Sequence, residues 1–192
     1  VDEASRRGAK LVVLPEAIVC LGDVQARKAA AEPLDGPTSK LLCGAAKRNG
    51  IHLIGGSFME KREDQDKVFN TSLFIGPDGN VLSVYRKIHL FKIDVPGEVV
   101  FDESEVVAGG EEVTVCESPY GAIGFSICYD LRFPELVRLG VAAGAQVIFI
   151  ANNESGLTEE RKLLGYRSMQ ISRATENLVY AVMANAPADP DN

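Results

Sequence analysis

The chain has 192 residues, 46% of them hydrophobic, and a formal net charge of -7 at pH 7. This length and apolar content suit a single domain with one sizeable core, which we assign to residues 1–192. The acidic balance argues against nucleic acid and anionic membrane surfaces as partners. No apolar run approaches the roughly 20 residues that span a bilayer, so we expect no membrane partner.

Taken in chain order, the hydrophobic pattern predicts helices and strands that alternate. The predicted helices cover residues 1–7, 38 or 39 to 49, 131–139 and 159–176. The predicted strands cover residues 11–14, 51–58, 68–75, 81–85, 121–127, 146–151 and 178–184, and those at 68–75 and 81–85 form a hairpin. Residues 88–110 are predicted as a long loop of the kind that is often functional. Such alternation is typical of an α/β sheet covered by helices.

The cysteines show neither a CxxC pair nor a pairing pattern, and they number four: Cys20, Cys43, Cys116 and Cys128. Together with two histidines they form no recognisable zinc site, so we predict no metal and no cofactor. Free thiols are typical of a reducing compartment, and we expect a cytoplasmic protein, with organellar targeting left open. Cys43 and Cys116 are predicted as core residues, and Cys20 lies in a loop that follows a strand.

Cys128 lies where an apolar strand meets a segment with helical spacing, in the sequence from Ile127 to Leu136. At such a corner we expect an exposed thiol beside a helix N-terminus, where unpaired N–H groups favour the thiolate. The same N–H groups would face the oxygen of an attacked carbonyl. The alternative is a buried structural cysteine, and this segment alone does not decide between the two.

Two charged residues also follow predicted strands. Glu16 comes directly after the strand at 11–14, at the end of a strand where α/β sheets place ligands, and Lys87 comes directly after the strand at 81–85. Each residue alone is more typical of a solvated surface. Together with Cys128, they supply what thiol-dependent acyl transfer needs: a base, a cation for the oxyanion and a nucleophile.

The segments around these residues resemble the three signature blocks of the nitrilase (carbon–nitrogen hydrolase) superfamily. The blocks are Leu-Pro-Glu at 14–16, Tyr-Arg-Lys-Ile-His-Leu-Phe at 85–91 and Cys-Tyr-Asp-Leu-Arg-Phe-Pro-Glu-Leu at 128–136. The resemblance implies an α/β fold, a four-layer α-β-β-α sandwich with the second half supplied by a partner subunit. It also implies a homodimer or higher homo-oligomer. Relative to the family pattern, a first strand and a final hairpin are missing, so we expect the domain at 1–192 to be incomplete at both ends.

The resemblance also implies a role for each matching residue. Glu16 corresponds to the general base, Lys87 to the cation that stabilises the intermediate, and Cys128 to the nucleophile. Glu103, which follows the loop at 94–97, corresponds to a second glutamate that holds the lysine and helps to position substrate. The backbone N–H of Tyr129 is expected to contact the oxyanion together with Lys87. The implied activity is hydrolysis of the C–N bond of a small amide through a thioester, with release of ammonia.

The third block is similar to the branch of omega-amidase and deaminated-glutathione amidase, which hydrolyse the terminal amide of small dicarboxylic acid monoamides. The guanidinium of Arg132 would match the remote carboxylate, although it could instead pair with Asp130 or Glu135. Asn152 and Asn153, predicted to line the pocket, lie where that branch usually has a proline and an aromatic residue. N-carbamoyl amides and nitriles therefore stay open as substrates.

Two further classes of protein stay open. One is a papain-like or other cysteine–histidine hydrolase, in which Cys128 would act with His89. The other is a non-catalytic interaction protein of the same fold, against which the presence of all three catalytic residue types counts.

Overall fold

The computed structural model describes residues 1–95, 99–154 and 163–186. The helices are α1 (Asp2–Arg6), α2 (Val24–Ala29), α3 (Pro37–Asn49), α4 (Pro134–Ala142) and α5 (Ser168–Asn177), and a π-helical turn at Leu163–Arg167 precedes α5. Short 3-10 turns cover Glu103–Glu105 and Cys128–Arg132. The strands are β1 (Leu11–Val13), β2 (His52–Ile54), β3 (Phe58–Glu60), β4 (Phe69–Ile75), β5 (Val81–Arg86), β6 (Lys92–Val95), β7 (Val99–Asp102), β8 (Val115–Cys116), β9 (Ile123–Ile127), β10 (Val147–Asn152) and β11 (Tyr180–Asn185).

Within the described residues, the strands form two sheets and a separate hairpin. The first sheet has the order β1-β2-β4-β3, with β5 paired to β4, and its β1–β2 pair is parallel. The second sheet has the order β11-β10-β9-β8, in which β9, β10 and β11 run parallel and β8 antiparallel. The hairpin consists of β6 and β7.

The two sheets pack face to face, and helices cover their outer faces. Phe125 of the second sheet contacts Phe74 and Tyr85 of the first, with ring centroids 6.1 and 6.4 Å apart. Helix α3 covers the other face of the first sheet through Leu42, while α4 and α5 pack on the second sheet. The predicted α/β fold is confirmed. The expectation that a partner supplies half of the sandwich is wrong, because the apolar faces of both sheets belong to this chain.

The segment predicted as one strand at 51–58 is divided. Strand β2 ends at Ile54, and β3 begins only at Phe58, because Gly56 turns the chain with φ of +63°. A Cβ atom at Gly56 would lie 2.1 Å from the carbonyl oxygen of Pro15, so only glycine permits this close approach. The division brings the chain against the loop that follows β1.

Other predicted boundaries also differ from the structure. The predicted loop at 88–110 contains the β6–β7 hairpin, while Pro96 and Gly97 lie outside the described residues. The helix expected from residue 131 begins at Pro134, a residue that favours the first helical turn. The first residues of the helix predicted at 159–176, and Ser155 before them, also lie outside the described part. Helix α2, capped by the Asp23 side chain, was not predicted.

No helix in the three described ranges is both long enough and apolar enough to cross a membrane.

Candidate active site

The four predicted catalytic residues meet at one buried site, because each follows the end of a strand or its adjoining turn. Glu16, Lys87, Glu103 and Cys128 are exposed by only 4, 2, 1 and 8% of their surface. The Lys87 Nζ atom lies 3.1 Å from Glu16 Oε1 and 2.9 Å from Glu103 Oε2. The site therefore places one ammonium between two carboxylates, beside a thiol.

The loop after β1 fixes the position of Glu16. Its backbone N–H donates to the carbonyl oxygen of Asn152, 3.2 Å away at the end of β10, which ties the two sheets together. The next residue, Ala17, has a left-handed φ of +58°, and its N–H donates to Ser57 Oγ at 3.0 Å. A non-glycine residue in this conformation is held there by its surroundings, so the direction of Glu16 is imposed by the fold.

Glu103, rather than its acidic neighbours, faces Lys87. Its Oε2 atom also accepts a hydrogen bond from the backbone N–H of Phe91 at 2.8 Å. Asp102 instead accepts from Lys92 and Ser104, which lowers its pKa to about 2. The structure thus brings Glu103, and not Asp102, to the Lys87 ammonium.

Burial and the neighbouring carboxylates have opposite effects on the pKa of Lys87. Burial acts to lower its pKa, but Glu16 and Glu103 raise it, and the net pKa lies above its usual value. Lys87 therefore keeps its proton through the whole physiological range. It can stabilise negative charge, but it is unsuited to give up a proton during catalysis.

Asn70 also belongs to this cluster, although the sequence analysis missed it. Its Nδ2 atom lies 2.9 Å from Glu16 Oε1 and 3.4 Å from Glu103 Oε1, and the residue is fully buried. The hairpin register could have revealed it, because β4 and β5 pair so that the Lys87 N–H donates to the Asn70 carbonyl oxygen.

The expectation of an exposed, thiolate-prone Cys128 is wrong. The residue is buried, and burial raises the pKa of the thiol, as does Glu16; Lys87 and the backbone N–H of Asn153 act in the opposite direction but do not prevail. A 3-10 turn, not the first turn of α4, follows the cysteine, so little helix dipole acts on it. Burial and Glu16 thus favour the neutral thiol over the thiolate.

Asp130 connects the segment that carries Cys128 to the segment that carries Lys87. Its Oδ2 atom accepts from the Tyr85 hydroxyl at 2.7 Å and from the Ile127 N–H at 2.9 Å. Its Oδ1 atom accepts from the His89 N–H at 2.8 Å. Because Tyr85 and His89 flank Lys87, this one carboxylate links the backbone around Lys87 to the backbone around Cys128.

His89 is engaged away from the thiol. Its Nδ1 atom lies 3.0 Å from Asp130 Oδ1, and its ring stacks on Phe133 with centroids 3.7 Å apart. No contact between His89 and Cys128 occurs in the described part of the chain. This arrangement argues against a cysteine–histidine hydrolase.

Aromatic rings surround Arg132 next to the thiol. The guanidinium carbon of Arg132 lies 5.6 Å from the Tyr129 ring centre and 5.4 Å from that of Tyr166. The Tyr166 hydroxyl in turn lies 3.9 Å from Cys128 Sγ. The exposed Arg132 cation is thus separated from the Cys128 thiol by one side chain, that of Tyr166.

The alternative pairing of Arg132 with Asp130 or Glu135 is not observed. Both carboxylates are described, and neither lies within ion-pair distance of the guanidinium. Asp130 is fully occupied by the donors given above. Arg132 is therefore free of the two partners that would have made it merely structural.

Asn152 and Asn153 differ in their relation to the site. The Asn152 side chain is fully buried and donates to Asn185 Oδ1 at 3.0 Å, linking β10 to β11. The Asn153 backbone N–H points to the Cys128 sulfur and favours its ionised form. The structure thus puts the backbone of Asn153 at the thiol and the side chain of Asn152 between the strands.

Cys20 lines a cleft of about 290 Å³ beside Glu16, while Cys43 and Cys116 are only partly buried in α3 and β8. Among the described residues, all four cysteines are free, and no group of three or more metal-ligating side chains occurs.

Replacing Glu16 by glutamine is expected to lower the apparent pKa of Cys128. The wild-type pKa is raised by burial and by the Glu16 carboxylate, and the variant removes the second cause while Lys87 remains. The alkylation rate of Cys128 by iodoacetamide, measured against pH, should therefore reach its half-maximum at a lower pH. The other three cysteines are replaced in both proteins. An unchanged or higher midpoint would contradict the described charge arrangement.

The fold has known counterparts among solved structures. The crystal structure of Saccharomyces cerevisiae Nit3, a member of branch 10 of the nitrilase superfamily, matches with a TM-score of 0.85 and 28% identity, covering 100% of this chain and 68% of that chain. A mutant amidase from Nesterenkonia sp. AN1, in which acrylamide has undergone Michael addition at the active-site cysteine, matches with a TM-score of 0.79 and 26% identity, covering 95% of this chain and 67% of that one. The fold is that of the nitrilase superfamily.

Residues 1–188 match the family described as carbon–nitrogen hydrolase. The chain belongs to this family, and the prediction of a carbon–nitrogen hydrolase is confirmed. The chain is 39% identical over 189 residues to omega-amidase of Danio rerio, covering 98% of this chain and 66% of that protein. It is 38% identical to omega-amidase of Homo sapiens, covering 98% and 67%. The chain thus spans about two thirds of the length of these relatives.

Proposed function

We propose that this protein is a thiol-dependent amidase that hydrolyses the terminal amide of a small dicarboxylic acid monoamide. The observation that carries the proposal is the buried Lys87 ammonium between Glu16 and Glu103, beside the neutral Cys128 thiol. Such a set of groups provides a base, a fixed cation and a nucleophile within one water-poor site.

In the first half of the proposed reaction, Glu16 takes the thiol proton while Cys128 Sγ bonds to the amide carbon. This proton transfer does not change the total charge of the buried cluster. It therefore suits a buried site in which an isolated thiolate is unfavourable. Lys87 and the Tyr129 N–H stabilise the oxyanion. The C–N bond then breaks, Glu16 returns the proton to the leaving nitrogen, and ammonia departs from a Cys128 thioester.

In the second half, Glu16 takes a proton from water, whose oxygen attacks the thioester carbon. A second oxyanion forms at the same place and is stabilised by the same groups. Its collapse breaks the C–S bond, and the proton held by Glu16 returns to the sulfur. One amide and one water molecule yield one carboxylic acid and one ammonia, and the neutral thiol is restored.

Arg132 supports a substrate with a remote carboxylate. Its guanidinium lies between the rings of Tyr129 and Tyr166, hydrogen-bonds the Tyr166 hydroxyl and has neither Asp130 nor Glu135 as a partner. Its remaining N–H groups can bind a carboxylate. The likeness to proteins named omega-amidase supports the same substrate class. We further propose that the segment of Asn152 and Asn153 contributes to substrate binding, since the Asn153 backbone N–H faces the Cys128 sulfur.

The test is ammonia release from a panel of compounds. Succinic acid monoamide is compared with a neutral amide of the same length, an N-carbamoyl amino acid and a nitrile. The proposal expects the highest kcat/KM for the monoamide. A clear preference for the carbamoyl compound or the nitrile would replace the proposed substrate class while retaining the thiol chemistry.

Replacement of Arg132 by lysine is expected to reduce the preference for the acidic amide about 10- to 100-fold, because a single ammonium cannot form the bidentate pair, which is worth roughly 1.5–3 kcal/mol. The ratio of kcat/KM for succinic acid monoamide to that for the neutral amide measures the effect. Glu135→Gln, which alters a nearby exposed charge in the first turn of α4, serves as the control. Equal losses on both amides in Arg132→Lys would argue for a structural role.

We also propose that the protein forms a homodimer or larger homo-oligomer, as expected from the superfamily. Exposed apolar side chains on α4 and α5, Leu139 and Ile171, support this proposal, since each is 57% exposed. The molar mass in solution, from light scattering, tests it. The free thiols support a reducing compartment such as the cytoplasm as its location.

A further inference from the structure

Asn70 occupies the space between the two carboxylates that hold Lys87. The residue lies on β4, its side chain is fully buried, and its Nδ2 atom is 2.9 Å from Glu16 Oε1 and 3.4 Å from Glu103 Oε1. Both neighbours accept hydrogen bonds only, so the amide has to present its NH₂ group to them. The two N–H bonds of one nitrogen are thereby shared between two acidic residues.

We propose that Asn70 is a positioning residue for hydrolysis: its amide directs Glu16 towards the Cys128 thiol and keeps Glu16 and Glu103 together on the Lys87 ammonium. This inference rests on the proposed function, in which Glu16 is the base.

The two carboxylate oxygens of Glu16 have different hydrogen-bond partners. Its Oε1 atom accepts from Asn70 Nδ2 and from Lys87 Nζ, at 2.9 and 3.1 Å. Its Oε2 atom accepts no hydrogen bond from these two residues and remains for the thiol proton. Without Asn70, only the flexible lysine chain would fix the rotation of the carboxylate.

A purely structural reason for Asn70 is weak. Its Oδ1 atom is buried and has no hydrogen-bond partner in the described part of the chain, which is unfavourable for an amide in a core. An apolar residue of similar size would avoid this cost. The residue is therefore best explained by what its two N–H bonds do for Glu16 and Glu103.

The hairpin makes this arrangement rigid. The Lys87 N–H donates to the Asn70 carbonyl oxygen at 2.9 Å, so the backbone of β4 is tied to the residue that directly follows β5. Among the described residues, the other titratable groups that face the cluster are Glu103 after β7, Cys128 after β9 and, next to the thiol, Tyr166.

The test compares Asn70→Ala and Asn70→Asp with wild type, using succinic acid monoamide. In Asn70→Ala we expect kcat to fall about 10- to 100-fold with KM changed less than about threefold, because misplacement of a base affects the transition state more than binding. The acid limb of the kcat/KM profile should also move, because the variant removes the amide that lies between the two carboxylates and holds them in position. Asn70→Asp should be nearly inactive at neutral pH and partly recover as pH falls, when the new carboxyl group becomes protonated and donates again.

Thr71→Val is the matched control. Thr71 is the next residue of β4, is equally buried, and donates to Glu60 Oε2 at 2.7 Å on the other face of the strand. The Thr71→Val variant should have a lower melting temperature but the same pH profile of kcat/KM as wild type. Asn70 variants that fold and keep both kcat and the acid limb of wild type would overturn the proposal.

A second measurement separates this inference from the proposed function. The alkylation rate of Cys128 by iodoacetamide against pH reports the Glu16–thiol contact without any turnover. A profile that changes in Asn70→Ala but not in Thr71→Val supports the positioning role, even if wild type hydrolyses none of the amides. A profile that is identical in all three proteins overturns it, even if the amides are hydrolysed.

Discussion

Replacement of Cys128 by alanine is expected to abolish ammonia release. Removing the nucleophile eliminates the covalent route, and losses on the order of 10⁴-fold or more are typical when such a residue is removed. Alanine keeps the Cβ atom and loses only the sulfur, so the fold should persist. Cooperative unfolding of the variant at a similar denaturant concentration, together with turnover near background, is the expected pair of results.

Cys43→Ala and Cys116→Ala are the controls for this experiment. Both residues are partly buried and lie in α3 and β8, away from the cluster around Lys87. Each variant should retain the kcat of wild type. Loss of turnover in either control, or substantial turnover in Cys128→Ala, would show that the nucleophile has been misassigned.

Replacement of Lys87 by methionine is expected to impair both catalysis and stability. The variant leaves the buried Glu16 and Glu103 carboxylates without the cation between them, and an uncompensated buried charge typically costs about 3–5 kcal/mol. Loss of the oxyanion partner should lower kcat by roughly 10²- to 10³-fold. Denaturant unfolding and ammonia release measure the two effects.

The stability of Lys87→Met should also depend on pH in a different way from the stability of wild type. The pKa of Lys87 in the folded state lies above its usual value, so its contribution to wild-type stability is present below the usual lysine pKa and is lost as pH rises above it. This decline in stability at high pH should be absent in Lys87→Met. Adding Glu103→Gln should restore part of the stability by removing one charge, without restoring kcat. If Lys87→Met alone were as stable as wild type at neutral pH, the description of Lys87 as the ion partner of two buried carboxylates would be contradicted.

Local patterns predicted most of the fold. Short-range signals include the turn between β4 and β5, the apolar run of β10 and the glycine after α3. Each of these elements lies close to its predicted position. Glu16, Lys87 and Cys128 could be grouped because each follows the end of a strand, where α/β sheets place ligands, although the structure draws these strands from two sheets. The superfamily resemblance added Glu103, which a loop of mixed acidic residues did not single out by itself.

The features that the sequence analysis did not predict depend on contacts between residues that are far apart in the chain. The protonation of Cys128 is set by burial and by Glu16, 112 positions away, rather than by the helix that follows. Asp130 joins Tyr85 and His89 only after the two sheets have packed. Asn70 gains its significance from the two carboxylates that meet at its amide. None of these effects has a signature within a short window of sequence.

The most direct test of the central claim is mass spectrometry of the acid-quenched reaction with succinic acid monoamide. The proposed chemistry predicts a succinyl group on the peptide that contains Cys128, formed with release of one ammonia and removed by hydroxylamine. The adduct should be absent in Cys128→Ala. Turnover with the acyl group on another residue, or without any acyl group under conditions that trap a thioester, would contradict the account.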